Sequence, residues 1–170
     1  MAADTRDADF AAYMQARQPA LLRTAFLLTG DAHTAEDIVA TALAKLYLSW
    51  DKVRDRDSVD GYVRRIIANE TTSLWRRPWR RREVAAEVLP ERGREDAYDD
   101  GRAAAVWRAV SSLPTRQRAV VVLRYYEELS EAEIAHVLGI SPGTVKSQAS
   151  RALATLRTNN PDLASGLEER

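Results

Sequence analysis

GISPGTVKSQASRALATLR, residues Gly139–Arg157, is the stretch on which the fold turns. Ser141 precedes Pro142, and a residue before proline is pushed toward the extended region that an N-cap occupies. Pro142 suits the first helical position, because its missing N–H has no intrahelical partner there. At 100° per residue, Val145, Ala149, Ala152, Leu153 and Leu156 fall on one face of the predicted helix. Gly143, Ser147, Ser150, Arg151 and Ala154 fall on the other, flanked by Thr144 and Lys146. A small, polar outer stripe with two cations allows a helix backbone to approach base edges in a major groove. The same pattern is also that of an ordinary amphipathic surface helix.

The residues just upstream favour the groove. Ser130-Glu131-Ala132-Glu133 is a capping box that opens a short helix with Ile134, Ala135 and Leu138, stopped at Gly139. Four residues, Gly139 to Pro142, join it to the helix above. A short capped helix, a glycine-containing turn and a helix with a polar outer stripe make a helix-turn-helix. The N-terminus at Ser130 and Glu131 is expected to offer backbone N–H groups to a phosphate.

Further outward, every periodic segment is helical, which predicts an all-α chain. Val106, Trp107 and Val110 mark one helix, and Pro114 with Ala119, Val120, Leu123 and Tyr126 another. In the N-terminal half, Phe10, Tyr13, Met14 and Arg17 predict a first helix ended by Pro19. Leu21 to Leu28 predict a second, closed by Gly30. Asp31 and Thr34 compete to cap a long third helix with Ile38, Ala42, Leu43, Leu46, Tyr47 and Trp50 as its apolar stripe. A charged loop follows over 51–60, and a helix near Val59 carries Tyr62, Ile66 and Ile67 toward Trp75.

Charge divides the chain. Arg64 to Arg82 hold seven Arg and one acid, Glu70; Glu83 to Asp100 hold seven acids against Arg92 and Arg94. The reversal, with Pro90 and two glycines, reads as a flexible acidic linker. The predicted organisation is a helical domain over 8–82, the linker over 83–101, a second helical domain over 102–158 and a tail over 159–170. Residues 1–8 and 158–170 are expected to fray.

Composition narrows the function. With 45% hydrophobic and 29% charged residues the chain is globular rather than disordered. It contains no cysteine, which excludes disulfides, thiolate metal sites and thiol chemistry and suits a reducing cytoplasm. No apolar run reaches membrane-span length and the N-terminus lacks a signal-peptide core, so the expected location is cytoplasmic. Lys plus Arg and Asp plus Glu both number 25, so any contact with DNA rests on local patches and a larger partner rather than on net charge. His33 and His136 have no metal-ligand spacing, and no phosphate loop or nucleophile arrangement is present. No enzyme, cofactor, metal or small-molecule substrate is expected.

AEDIVATAL (35–43), GYVRRIIANETTSLWRR (61–77) and LPTRQRAVVVLRYYEELSEAEIAHVLGISPGTVKSQASRAL (113–153), in this order and spacing, resemble bacterial RNA polymerase sigma factors of the extracytoplasmic-function class. The likeness covers about residues 10–157. It implies a region 2 bundle and a region 4 helix-turn-helix that together bind core polymerase, at its clamp helices and flap, and direct it to promoter DNA. The third helix is similar to the one that docks on the clamp helices, with Asp37 at the family's acidic position. Ala40 and Thr41 stand where a Gln-Glu pair is usual. The fourth helix and the loop before it resemble the part that opens and captures the −10 element. The resemblance gives Asn69 and Ser73 a base pocket walled by Ile66, gives Arg54 and Arg56 the strand backbone, and gives Trp75, Arg76 and Arg77 the single strand or fork. The same likeness puts the Ser141–Arg157 helix in the −35 major groove, with Thr144, Lys146, Ser147, Gln148, Ser150 and Arg151 facing DNA. An anti-sigma protein is a further partner it allows. A stand-alone helix-turn-helix regulator and a sigma-like sequestering module are the competing readings.

Overall fold

The computed structural model describes residues 2–53, 56–76 and 100–168, and the chain separates into two units, Met1–Val84 and Ala85–Arg170. Residues 83–99 of the expected linker, Arg54 and Arg77 lie outside the described residues, and the last two linker positions, Asp100 and Gly101, already belong to a helix. All regular structure in the described residues is helical, as expected of an all-α chain.

In the first unit, α1 (Ala2–Thr29) packs against both α2 (Ala32–Ser49) and α3 (Arg56–Trp75), which also pack on each other, in a small bundle. Pro19 does not end a helix; it sits inside α1. An internal proline costs about 3 kcal/mol, since it removes one hydrogen bond and crowds the carbonyl four residues back. Both halves of α1 are packed into the unit, which outweighs that cost. On the N-terminal side Phe10 meets Tyr47 and Trp50 edge-on at 5.1 and 5.2 Å, and Tyr13 meets Trp50 at 5.5 Å. On the C-terminal side Leu21, Ala25, Phe26 and Leu28 are buried. Gln15, whose carbonyl loses its partner, and Pro19 are exposed, so solvent is at hand.

Nor does the N-terminus fray. Arg6 Nε donates to Asp51 at 2.9 Å, Arg6 Nη2 donates to the Tyr47 carbonyl at 2.6 Å, and the Tyr47 hydroxyl donates to Asp7 at 2.8 Å. Between the two caps proposed for α2 the structure selects Asp31, whose carboxylate accepts from the N–H groups of His33 and Thr34. Asp31 wins because the hydroxyl of Thr34 is itself bonded to it and Thr34 is buried in the first turn. Ile38, Ala42, Leu43 and Leu46 of the expected α2 stripe are buried, Tyr47 is half-buried, and the stripe continues through Trp50 in a 3₁₀ turn, Trp50–Lys52. Helix α3 starts at Arg56, three residues before the pattern signals it. Asp60 ties its first turns to α1 by accepting from the Tyr13 hydroxyl at 2.8 Å and Arg17 Nε at 3.2 Å. Burial and then that bond to Asp60 raise the pKa of Tyr13.

The second unit contains α4 (Asp100–Ser111), α5 (Thr115–Val121), α6 (Glu131–Leu138), α7 (Pro142–Asn159) and α8 (Pro161–Glu168). Helix α5 runs into a π-helical turn, Val122–Tyr126, closed by Glu127 N–H to the Val122 carbonyl at 3.0 Å. Trp107, Leu113, Val120, Leu123, Ile134, Val145, Ala149 and Leu156 form the core. Arg118 is buried with them, and that burial lowers its pKa. The tail after 158 is a helix, not a frayed end. Asn160 leaves the helical region at φ −149°, Pro161 opens α8, and α8 packs against α7. That packing is what the short, weakly patterned tail sequence did not advertise.

Candidate nucleic-acid interface

The helix-turn-helix is built by caps that the sequence spells out. The Ser130 hydroxyl accepts the Glu133 N–H at 3.2 Å, and Glu133 accepts the Ser130 N–H at 2.7 Å. Gly139 ends α6 in the left-handed region at φ 65°, where a side chain is strained and glycine is not. The Ser141 hydroxyl accepts the Thr144 N–H at 3.1 Å, and Pro142 stands in the first turn of α7. Val145, Ala149, Ala152 and Leu156 are buried; Leu153 is half-buried, at the edge of the core face.

The outer face is open. Gly143, Lys146, Ser147, Ser150, Arg151 and Ala154 are exposed, while Thr144 and Gln148 are half-buried at its margins. Among the described residues a Cβ on Gly143 would meet nothing closer than the Ser141 Oγ at 3.9 Å, so no contact among them calls for a glycine there. The Thr144 hydroxyl is held 2.8 Å from that of Ser141, and the Ser147 hydroxyl donates to the Thr144 carbonyl at 3.0 Å. Arg151 makes no ion pair among the described residues. Lys146 Nζ, by contrast, lies 3.8 Å from Glu131 Oε2, and Glu131 Oε1 lies 3.6 Å from Arg124 Nη1.

At the entrance of α6 the N–H groups of Ser130 and Glu133 are held within the capping box. The Glu131 carboxylate pairs with Lys146 and Arg124.

In the first unit, α3 presents Gly61, Arg65, Asn69 and Ser73 at four-residue intervals, all exposed, with Arg76 just beyond. Ile66 and Trp75 are half-buried beside this line. Neither Asn69 nor Ser73 has a side-chain partner among the described residues, so both amide and hydroxyl are available. The rotation of α3 that exposes them is set by neighbours in sequence. Glu70 pairs with Lys45 of α2, and Thr71 is buried with its hydroxyl on the Ile67 carbonyl at 2.8 Å. Arg56 opens the helix, and Arg54 lies outside the described residues. Sequence reasoning missed Arg65, although it lies one turn before Asn69. It also missed Gly61, where an added Cβ would meet nothing within 4 Å.

Helix α2 offers a second smooth face. Asp37, Ala40 and Thr41 are exposed on it, and Ala44 continues it. Leu48 ends it at 81% exposure, an apolar side chain well off the buried stripe. A helical wheel shows Leu48 on the Asp37 side, so the signal was present in the sequence and was passed over.

Two family models match this chain, "Sigma-70 region 2" over residues 13–81 and "Sigma-70, region 4" over 103–156. The RNA polymerase sigma-E factor of Streptomyces coelicolor is 42% identical over 150 residues, covering 88% of this chain and 84% of that protein. The chain belongs to the sigma-70 family. Within it, this sigma factor is of the extracytoplasmic-function class. The sigma factor SigV of Bacillus subtilis is 28% identical over 137 residues, covering 79% of this chain and 81% of SigV. A solved sigma factor, RpoE of Bartonella quintana in complex with the anti-sigma factor NepR, shares the fold. Its TM-score is 0.68 at 24% identity, over 88% of this chain and 95% of that one. The likeness extends through the N-terminal unit, which a stand-alone helix-turn-helix regulator would not share. Like its family, this sigma factor binds core RNA polymerase and directs it to promoter DNA. No described helix is long and apolar enough to cross a membrane.

Proposed function

We propose a division of labour in which the first unit docks on core polymerase and captures the −10 element, and α7 reads the −35 element. The observation that carries the second half is the grouping of Ser147, Ser150 and Arg151 on the open face of a helix whose opposite face is core. Arg151 is the base-reading residue, since its planar fork can make a bidentate contact worth about 1–3 kcal/mol of discrimination. Lys146 acts as a point charge toward phosphate. Thr144 and Gln148 frame the contact from the margins of the helix. The small residue at Gly143 lets the backbone come close.

On α3, Asn69 and Ser73 receive an extruded base against Ile66, and Trp75 with Arg76 and Arg77 follows the displaced strand. Arg54, Arg56 and Arg65 hold its backbone. Unstacking a base costs a few kcal/mol, which a pocket of this kind offsets with hydrogen bonds and stacking. Asp37, Ala40 and Thr41, extended by Ala44 and Leu48, form the clamp-helix surface. In this chain the usual polar pair is replaced by a flat face with an apolar end. An anti-sigma protein, like the NepR partner of the Bartonella quintana sigma factor, is a natural restraint. Bond formation is left to the polymerase, the chain itself is no enzyme, and it works in the cytoplasm where its partners are.

The test is transcription in vitro with purified bacterial core polymerase on a promoter library, with sequencing of the transcripts. The expected result is one shared pair of −35 and −10 elements upstream of new starts. Arg151→Ala relaxes the −35 preference, Asn69→Ala impairs opening with −35 binding intact, and Leu48→Glu weakens core binding. Core binding with no protein-dependent transcript would turn the reading toward a sequestering module.

A further inference from the structure

Glu131 is the feature that promoter reading does not use. It begins α6 at the mouth of the helix-turn-helix, outside the capping box that Ser130 and Glu133 complete between themselves. Its two carboxylate oxygens face two cations from different elements: Arg124 Nη1 of the π-helical turn at 3.6 Å and Lys146 Nζ of α7 at 3.8 Å. Lys146 is itself largely exposed on the outer face of α7. A negative group therefore stands between two cations, one of them on the outer face of α7.

We infer that Glu131 competes with DNA phosphate for Lys146 and Arg124 and so holds down the sequence-independent affinity of the chain for duplex DNA. The inference rests on the reading that α7 binds duplex DNA. Phosphate contacts are blind to sequence and supply essentially all of non-specific binding. Base contacts carry the sequence information. A carboxylate that weakens the first and leaves Ser147, Ser150 and Arg151 untouched lowers affinity for duplex of any sequence, so a larger share of the remaining binding comes from base contacts. It also keeps the free chain off DNA until polymerase holds it at a promoter, in keeping with a chain whose 25 basic and 25 acidic residues cancel.

The experiment measures binding of the full chain to labelled duplexes of about 25 base pairs, across roughly 50 to 200 mM salt. One probe is a random-sequence pool; the other is the duplex that the wild-type chain selects from that pool. Glu131→Gln is expected to bind the random pool about fivefold more tightly at the middle of that range. Its salt slope should steepen by about 0.9 for each cation released to phosphate. Asp162→Asn makes the same change in net charge in α8 and should leave both quantities at the wild-type value. Lys146→Gln should cost more affinity in the Glu131→Gln background than in the wild type, which a merely structural role for Glu131 would not produce. Equal affinity and equal slope for wild type and Glu131→Gln overturn the inference, and so does the absence of random-pool binding by both. Arg151→Ala separates the two readings. If it leaves binding to the selected duplex unchanged, the assignment of α7 to DNA fails and the role of Glu131 fails with it. If it weakens that binding while Glu131→Gln changes nothing, only the role of Glu131 is lost.

Discussion

The polar contacts that pack α1 in the first unit and those that place the helix ends of the helix-turn-helix in the second are of opposite kinds. In the first, the bonds that fix α1 against α2 and α3 join residues far apart in sequence: Arg17 and Asp60 are 43 positions apart, Arg6 and Asp51 are 45, and Tyr13 and Asp60 are 47. In the second, the bonds that place the helix ends join residues three apart, Ser130 with Glu133 and Ser141 with Thr144. The first arrangement makes the N-terminal unit depend on assembled tertiary structure. The second lets each helix of the DNA-reading motif be stopped and started by its own residues, so that the outer face of α7 is set locally.

The sharpest way to break this comparison is Trp50→Ala. Trp50 is buried and receives the rings of Phe10 and Tyr13, so its loss should cost the first unit about 3–5 kcal/mol. Denaturant unfolding followed by circular dichroism is expected to split into two steps, with the second unit keeping its midpoint. A single transition moved as a whole would mean that the units are not separately stabilised. Asp60→Ala should come next, at about 1–3 kcal/mol, because it strips Tyr13 and Arg17 of a common acceptor. Amide exchange should then quicken in both α1 and α3, although they are distant in sequence.

Ser130→Ala probes the other kind of contact. Removing an N-cap costs about 1 kcal/mol, and here the faster exchange should stay within the first turn of α6. Spread into α1–α3 would contradict the local character of the motif. The smallest effect belongs to Glu128, which sits at φ 56° just before the motif. Side chains other than glycine pay about 1–2 kcal/mol in that region, partly offset by the greater freedom of glycine when unfolded. Glu128→Gly is therefore expected to raise the melting temperature of the second unit by a few degrees, for a gain of up to about 1 kcal/mol. A lower melting temperature would show that Glu128 gives the turn more than its backbone loses.

The same contrast explains what could be read in advance. The capping box at Ser130–Glu133, the left-handed stop at Gly139 and the Ser141-Pro142 start follow from local hydrogen-bond chemistry, which a sequence displays directly. The buried stripe of α2, Ile38 through Leu46, follows from helical period. Pro19 read as a helix end because its local cost is plain, while the aromatic contacts that overrule it come from Tyr47 and Trp50, far downstream. Among the candidate DNA residues, Ser147, Ser150 and Arg151 were legible as a stripe, whereas the carboxylate beside Lys146 was not, because Glu131 reaches it from another helix.

By itself, then, the sequence determined the all-α class, the charge reversal after Arg82, the helix-turn-helix and the face that α7 turns outward. Those depend on interactions within a turn or two of chain. The tertiary structure decided that α1 continues through Pro19, that α8 packs against α7, that Asn69 and Ser73 are exposed, and that Glu131 faces two cations. Each of those rests on groups brought together only when the helices pack, where burial and long-range pairing outweigh local preference.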